Sequence, residues 1–229
     1  MLWRPEIVNS SLTTGWTMTS LRFVIAVLLF ELAASASHSE TRQLASVSDT
    51  PKATTSAPVL SEARPPIGWI DFCTRRPDEC DQAEVAARSV PLTRSNWAII
   101  TKVNSMVNNR VRQAEDIAVY GVAEYWDYPE KNIGDCEDFA LQKRKLLIGM
   151  GVPRQALLMT VVRDQEGLGH AVLTVVTDKG DFILDNKVNA VLAWVDTGYS
   201  FVKRQSRTQD DQWVRLGDPA AIATTAAGQ

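Results

Sequence analysis

The chain is poor in the residues that most often make metal or redox sites. It has three cysteines and two histidines in 229 residues. That is too few for a structural zinc centre: no second CxxC-type pair exists, and the histidines are badly placed. It also lacks a positive excess, with 24 Lys and Arg against 27 Asp and Glu and a net charge of −3. Without a basic stripe, nucleic acid is not an expected partner. A bilayer-spanning run of about 20 apolar residues is missing too, since the apolar stretch near the start covers only Phe23 to Phe30. No internal repeat is visible, and no organic cofactor is expected.

What remains is ordinary globular composition, 45% hydrophobic and 22% charged, enough for one domain with a core. Residues 1–36 read as a signal peptide. Arg22 precedes the apolar run, and Ala34-Ser35-Ala36 supplies a small-x-small cleavage site. A start at Met18 rather than Met1 makes this leader compact; an uncleaved anchor is the competing reading. Export to the periplasm follows. Residues 37–66 are rich in Ser, Thr, Ala and Pro, a composition that buries too little surface to offset its ordering entropy; a tether is expected. The domain is expected over 67–216, with a frayed tail at 217–229.

Within the domain, Trp97, Ile100, Val103, Val107 and Val111 recur at three- and four-residue spacing, one apolar stripe of a helix with Thr93 or Ser95 as N-cap. Gly121, Pro129 and Gly134 mark a loop. Phe139, Ala140, Leu146, Leu147 and Met150 mark a second helix, closed by Gly151 and Pro153. After Pro153 the runs "ALLMTVVR", "HAVLTVVTD", "DFILD" and "AWVDTGYSFVKR" are β-branched and aromatic, with turn residues between them. Helices followed by an antiparallel sheet make the α+β class.

Cys73 and Cys80 are close enough in sequence to close a small disulfide loop in an oxidising compartment; two separate buried thiols are the alternative. Cys136 is then the odd cysteine, either an accident or a reactive thiol. It sits in "NIGDCEDFALQKRKLLIGMGVP", at the start of the second helix. A helix N-terminus favours the thiolate, whereas Asp135, Glu137 and Asp138 disfavour it. A histidinium, a bound cation or both should compensate. His38 lies in the expected tether, so any Cys–His pair must use His170, and Asp185 in "FILDNK" is the candidate to orient the imidazole. With a loop at 178–181, Asp185 opposes Thr174 and lies about 13 Å from His170. A register two residues tighter makes the two diagonal neighbours about 7–8 Å apart. Both registers place them on one face.

"GDCEDFALQKRKLLIGMGVP" and "GHAVLTVVTDKGDFILDN" resemble the bacterial transglutaminase-like cysteine proteinases, the family of the LapG-type periplasmic proteases. The resemblance runs from about residue 67 to 205. It implies a papain/transglutaminase-like core, with the cysteine on a helix packed against an antiparallel sheet. It also implies Cys136 as nucleophile, His170 as general base and then acid, and Asp185 as orienter braced by Asn186. The backbone N–H of Cys136 should serve the oxyanion hole. Trp126 matches an aromatic of the family and either lines the cleft or belongs to the core. The resemblance further implies calcium on Asp135, Glu137 and Asp138, completed by carbonyls or water; simple helix N-terminal charge is the alternative. LapG-type members cut a surface adhesin, so a protein substrate, such as an adhesin, is implied, and a membrane-bound regulator is a further candidate partner. Amine acyl transfer or deamidation at the same thiol, and a non-enzymatic binding module, stay open alongside hydrolysis.

Overall fold

The computed structural model describes residues 50–217; the leader expected at 1–36, residues 37–49 and the tail from 218 lie outside the described residues. In chain order the elements are β1 (Val59–Ala63), α1 (Ile67–Arg75), α2 (Arg94–Arg110), β2 (Arg112–Gln113), α3 (Asp116–Val119), β3 (Ile133–Gly134), α4 (Cys136–Gly149), β4 (Leu157–Arg163), β5 (Gly169–Thr177), β6 (Gly180–Leu184), β7 (Leu192–Ala193), β8 (Ser200–Gln205) and β9 (Trp213–Leu216). Helices precede residue 150 and most strands follow it, which is the expected α+β arrangement.

The apolar stripe forms α2 because Trp97, Ile100, Val103 and Val107 all face inward. Thr93 is its N-cap, accepting the Asn96 N–H at 3.2 Å. Helix α4 buries Phe139, Ala140, Leu141 and Leu147. Its end is a Schellman closure: Val152 N–H reaches the Leu147 carbonyl at 3.0 Å and Gly151 N–H the Ile148 carbonyl at 2.9 Å. Gly151 takes a φ of +88° there, and Pro153 prevents continuation.

Seven strands make one sheet in the order β1-β9-β8-β4-β5-β6-β7, and all its named strand pairs are antiparallel. The helices cover one face, where Leu173 and Val175 of β5 meet Ile100, Leu141 and Leu147. A second, smaller core on the sheet gathers Val162, Val172, Ile183, Trp194 and Phe201. Covered on both sides, β5 is buried from His170 onward, which is why its sequence is nearly continuous in apolar residues. Trp69, Trp126 and Trp213 pack edge-on with centroids 6.1–6.5 Å apart, tying α1 and β9 to the loop that precedes α4.

Two segments differ from expectation. Residues 50–66 are ordered against the domain rather than forming part of a tether. Thr54 N–H donates to the Lys179 carbonyl at 2.8 Å, Asp181 N–H to the Thr55 carbonyl at 3.1 Å, and Ala57 N–H to Asp181 Oδ2 at 3.0 Å; β1 then pairs with β9. Backbone hydrogen bonds to a distant buried carboxylate leave no trace in local composition. The run "AWVDTGYSFVKR" is also not one strand. Gly198, at φ +72°, separates β7 and a short 3₁₀ turn from β8.

Cys73 and Cys80 form a disulfide across a separation of seven residues. The loop it closes carries Glu79, whose carboxylate meets Arg154 at 3.2 Å and the buried Arg144 at 3.7 Å. Removing the bridge with a Cys80→Ser substitution is expected to lower unfolding stability by about 2.5 kcal/mol, the loop-closure value for this span. Chemical denaturation of both proteins checks this, and superimposable curves would contradict it.

Candidate active site

Cys136 is the first residue of α4, preceded by the extended N-cap Asp135. Its partly buried thiol opens on a cleft of about 350 Å³ lined by Ile67, Trp126, Glu137, Val161, His170 and Lys203, among others. The sulfur accepts the Ala171 N–H at 3.3 Å, and its S–H points to Glu137 Oε2 at 3.2 Å.

His170 reaches the same cleft from the start of β5. Leu173 opposes Leu184 and Thr177 opposes Gly180. That is the tighter of the two registers considered above, and it makes His170 and Asp185 diagonal neighbours. Their side chains meet at 2.9 Å, Nε2 to Oδ1. Gly180 permits this turn. Its φ is +109°, and a Cβ there would lie 2.5 Å from the Thr54 carbonyl oxygen, so only glycine fits.

Asp185 is held from several sides. Tyr199 donates its hydroxyl to Oδ2 at 2.5 Å and packs edge-on against the His170 ring, with centroids 5.7 Å apart. Lys187 N–H donates to Oδ1 at 3.0 Å, and Asn108 Nδ2 donates to the Asp185 carbonyl at 2.8 Å. Burial works against ionising this carboxyl, but the hydrogen bonds from His170 and Tyr199 prevail and hold it below the usual carboxylate range. Asn186 plays no part in this bracing. Its Nδ2 donates to Gln113 Oε1 at 2.8 Å, and its Oδ1 is buried without a partner. Trp126 satisfies both readings: it lines the cleft and packs in the aromatic core at 3% exposure.

Beneath the thiol lies a carboxylate cluster. Asp116, Asp135 and Asp138, all buried, offer oxygens within 4.8 Å of one another, and Asp135, the Cys136 sulfur and Glu137 form an overlapping group. Asp116 comes from α3 and was not anticipated. Its backbone N–H donates to Asp135 Oδ2 at 3.3 Å, and its carboxylate accepts the Tyr125 N–H. Asp138 accepts the Asp127 N–H at 2.9 Å. Each of the four carboxylates still keeps one buried oxygen without a partner: Asp116 Oδ1, Asp135 Oδ1, Glu137 Oε1 and Asp138 Oδ2.

Burial, followed by mutual repulsion, pushes Asp116 up to about 6 and Asp138 up to about 8. Glu137 goes up to about 10 through burial and then its contact with Asp135. The Cys136 thiol is driven well above its ordinary value by burial first and then by Glu137. Unpartnered carboxylate oxygens on Asp116, Asp135 and Asp138, which lie together, and on the adjoining Glu137 fit a hard divalent cation, and calcium suits an oxygen donor set.

The family described as "bacterial transglutaminase-like cysteine proteinase" matches this chain over residues 59–221, 163 of its 229 residues. The chain belongs to this family. It is accordingly a cysteine peptidase. No curated protein matches it. Among solved structures, Legionella pneumophila LapG is similar in three forms. The calcium-bound form shares 24% identity at a TM-score of 0.45, covering 57% of this chain and 80% of that chain. Another shares 26% at 0.45, covering 57% and 74%. The EGTA-treated form shares 25% at 0.44, covering 57% and 76%.

Tyr199, Asn108 and Asp116 escaped the sequence reading of this proteinase for a common reason. Each acts through a contact made across the fold, and none carries a local motif.

The raised carboxyls fix a sign for pH dependence when no cation is bound. Asp116 and Asp138 have ordinary values of 3.8 and bind protons more tightly when folded. Their stabilising contribution is full below about pH 4 and is lost as pH rises through about 6 and then about 8. In chelator, the melting temperature is expected to fall between pH 5 and pH 8. A flat or rising profile contradicts the cluster's role.

Proposed function

We propose that this cysteine peptidase hydrolyses a peptide bond through Cys136, His170 and Asp185. The observation that carries the reading is the 2.9 Å bond from His170 to Asp185 at the cleft that also holds the Cys136 thiol. With Nε2 committed to Asp185, Nδ1 is the ring nitrogen left to take the thiol proton. The thiolate attacks the scissile carbonyl carbon, and the carbonyl oxygen becomes the oxyanion, received by the Cys136 backbone N–H. The imidazolium then gives its proton to the leaving amine, leaving a thioester. Water, deprotonated by His170, releases the acid and restores the thiol. The Ala171 N–H that donates to the sulfur favours the thiolate form.

Glu137 and Asp135 oppose that thiolate. Asp116, Asp135, Glu137 and Asp138 would hold a calcium ion, which supplies the positive charge that lets them ionise beside a thiolate. The leader residues Arg22 and Phe23–Phe30 with Ala34-Ser35-Ala36 support export, so we place the substrate among periplasmic or surface-anchored proteins, an adhesin being the type implied by the family resemblance. Among the described residues, no helix is long and apolar enough to cross a membrane.

Cys136→Ala is expected to abolish cleavage while leaving the melting temperature close to that of the parent. Mass spectrometry of envelope proteins from cells carrying each form reads new peptide termini, and undiminished cleavage by the variant rejects the assignment. Tyr199→Phe removes one hydrogen bond to a charged carboxylate and is expected to lower kcat/KM by about tenfold. Calcium added to chelated protein should raise both activity and melting temperature. If neither moves and metal analysis finds no bound ion, the acidic cluster is only a charged helix start.

A further inference from the structure

The cleft that holds the thiol contains a charge that the proposed chemistry leaves unused. Lys203 lines the same cleft as Cys136 and His170 and is, among the described residues, the one lysine or arginine in that lining. Its ammonium donates to the Arg64 carbonyl at 2.9 Å, which spends one of its three N–H donors. Several cations have carboxylate partners, Arg76 with Asp127, Arg144 and Arg154 with Asp210, Lys187 with Asp164 and Arg204 with Asp181, whereas the buried Lys143 and the half-buried Arg207, both outside the cleft lining, do not. Lys203 has no carboxylate partner among the described residues, and burial acts on it uncompensated, lowering its proton affinity.

The backbone is built to aim it there. In a regular strand Phe201 and Lys203 would share a face. The β4–β8 ladder shifts register at this point: Val161 opposes Lys203, but Val162 opposes Phe201, leaving Val202 as the extra residue of a bulge. Phe201 therefore enters the second core, while Lys203 stands beside the cleft residue Val161. An ammonium with two N–H donors free, at a cleft whose carboxylates make no ion pair with it, can take an anion from outside the chain.

We infer that Lys203 is a specificity-determining residue whose ammonium forms a subsite for the side-chain carboxylate of an Asp or Glu near the scissile bond of the substrate. This rests on the proposed cleavage at Cys136 in the same cleft. Glu124, which also lines the cleft, accepts the Trp126 indole N–H at 3.1 Å and repels an acidic side chain beside it, so the preference is confined to the Lys203 subsite.

A library of N-acetylated, C-amidated octapeptides tests it, because only side chains then offer a carboxylate. Binding is read by fluorescence anisotropy on the full-length Cys136→Ala protein, and cleavage is read as kcat/KM with Cys136 intact. Peptides with Asp or Glu at one position should be preferred over their Asn or Gln counterparts by about tenfold, the size of one charge-assisted hydrogen bond. Lys203→Met should bring that ratio to about one, Lys203→Glu should invert it toward Lys or Arg, and Lys203→Arg should preserve it, which separates charge from packing. An acid-to-amide ratio near one in the parent, or a ratio unchanged by Lys203→Met, overturns the proposal. If the binding preference and its loss appear but no peptide is cut, the subsite stands and the Cys136 mechanism fails.

Discussion

A single hydrogen-bonded register, that of β5 against β6, positions the proposed machinery. Strand side chains alternate between faces, so a one-residue slip would carry Asp185 to the far side of the sheet from His170. The pairing of Thr177 with Gly180 prevents that slip. Gly180 is itself fixed from outside the hairpin, because the backbone at Thr54 lies where a side chain would be. The N-terminal segment is therefore part of the scaffold that aligns the imidazole, despite lying more than a hundred residues earlier in the chain. Tyr199 then holds the carboxylate through Oδ2, and the Lys187 N–H shares Oδ1 with His170.

The thiol sits in an electrostatic conflict. Its place at the start of α4 and the Ala171 N–H favour the anion, while burial and the flanking carboxylates oppose it. The fold deepens this conflict by bringing Asp116 from α3 against Asp135 and Asp138. Buried carboxylates with unpartnered oxygens are costly to keep unless something pairs with them. On the proposed reading a cation bound there would resolve both problems together, since the charge that satisfies the oxygens would also favour the neighbouring thiolate. The acidic motif beside the cysteine therefore makes physical sense as one half of a binding site rather than as a set of catalytic acids.

The cleft is similarly composed of parts drawn from distant elements. Ile67 comes from α1, Trp126 from the loop before β3, Val161 from β4 and Lys203 from the bulged β8. The aromatic cluster of Trp69, Trp126 and Trp213 joins that wall to the core. Exchanging one of these packed aromatics thus couples to the core, whereas the Lys203 side chain makes one hydrogen bond, from its ammonium to the Arg64 carbonyl.

Local pattern was sufficient for some features. The stripe from Trp97 to Val107 could only be a helix with one buried face, the Gly151-Pro153 pair could only end α4, and the β-branched runs after it could only be strands. With two histidines in the chain and His38 in the expected tether, elimination left His170 as the candidate to pair with Cys136. Alternation placed His170 and Asp185 on one face under either register, but which register forms is seen only in the folded β5–β6 pairing. The edge strand β1, the bracing of Asp185 by Tyr199 rather than by Asn186, the arrival of Asp116 at the acidic cluster and the bulge that turns Lys203 into the cleft were likewise decided only by tertiary structure. Each of these depends on hydrogen bonds or packing between residues far apart in the chain, and the spacing of neighbours along a sequence holds no record of such contacts.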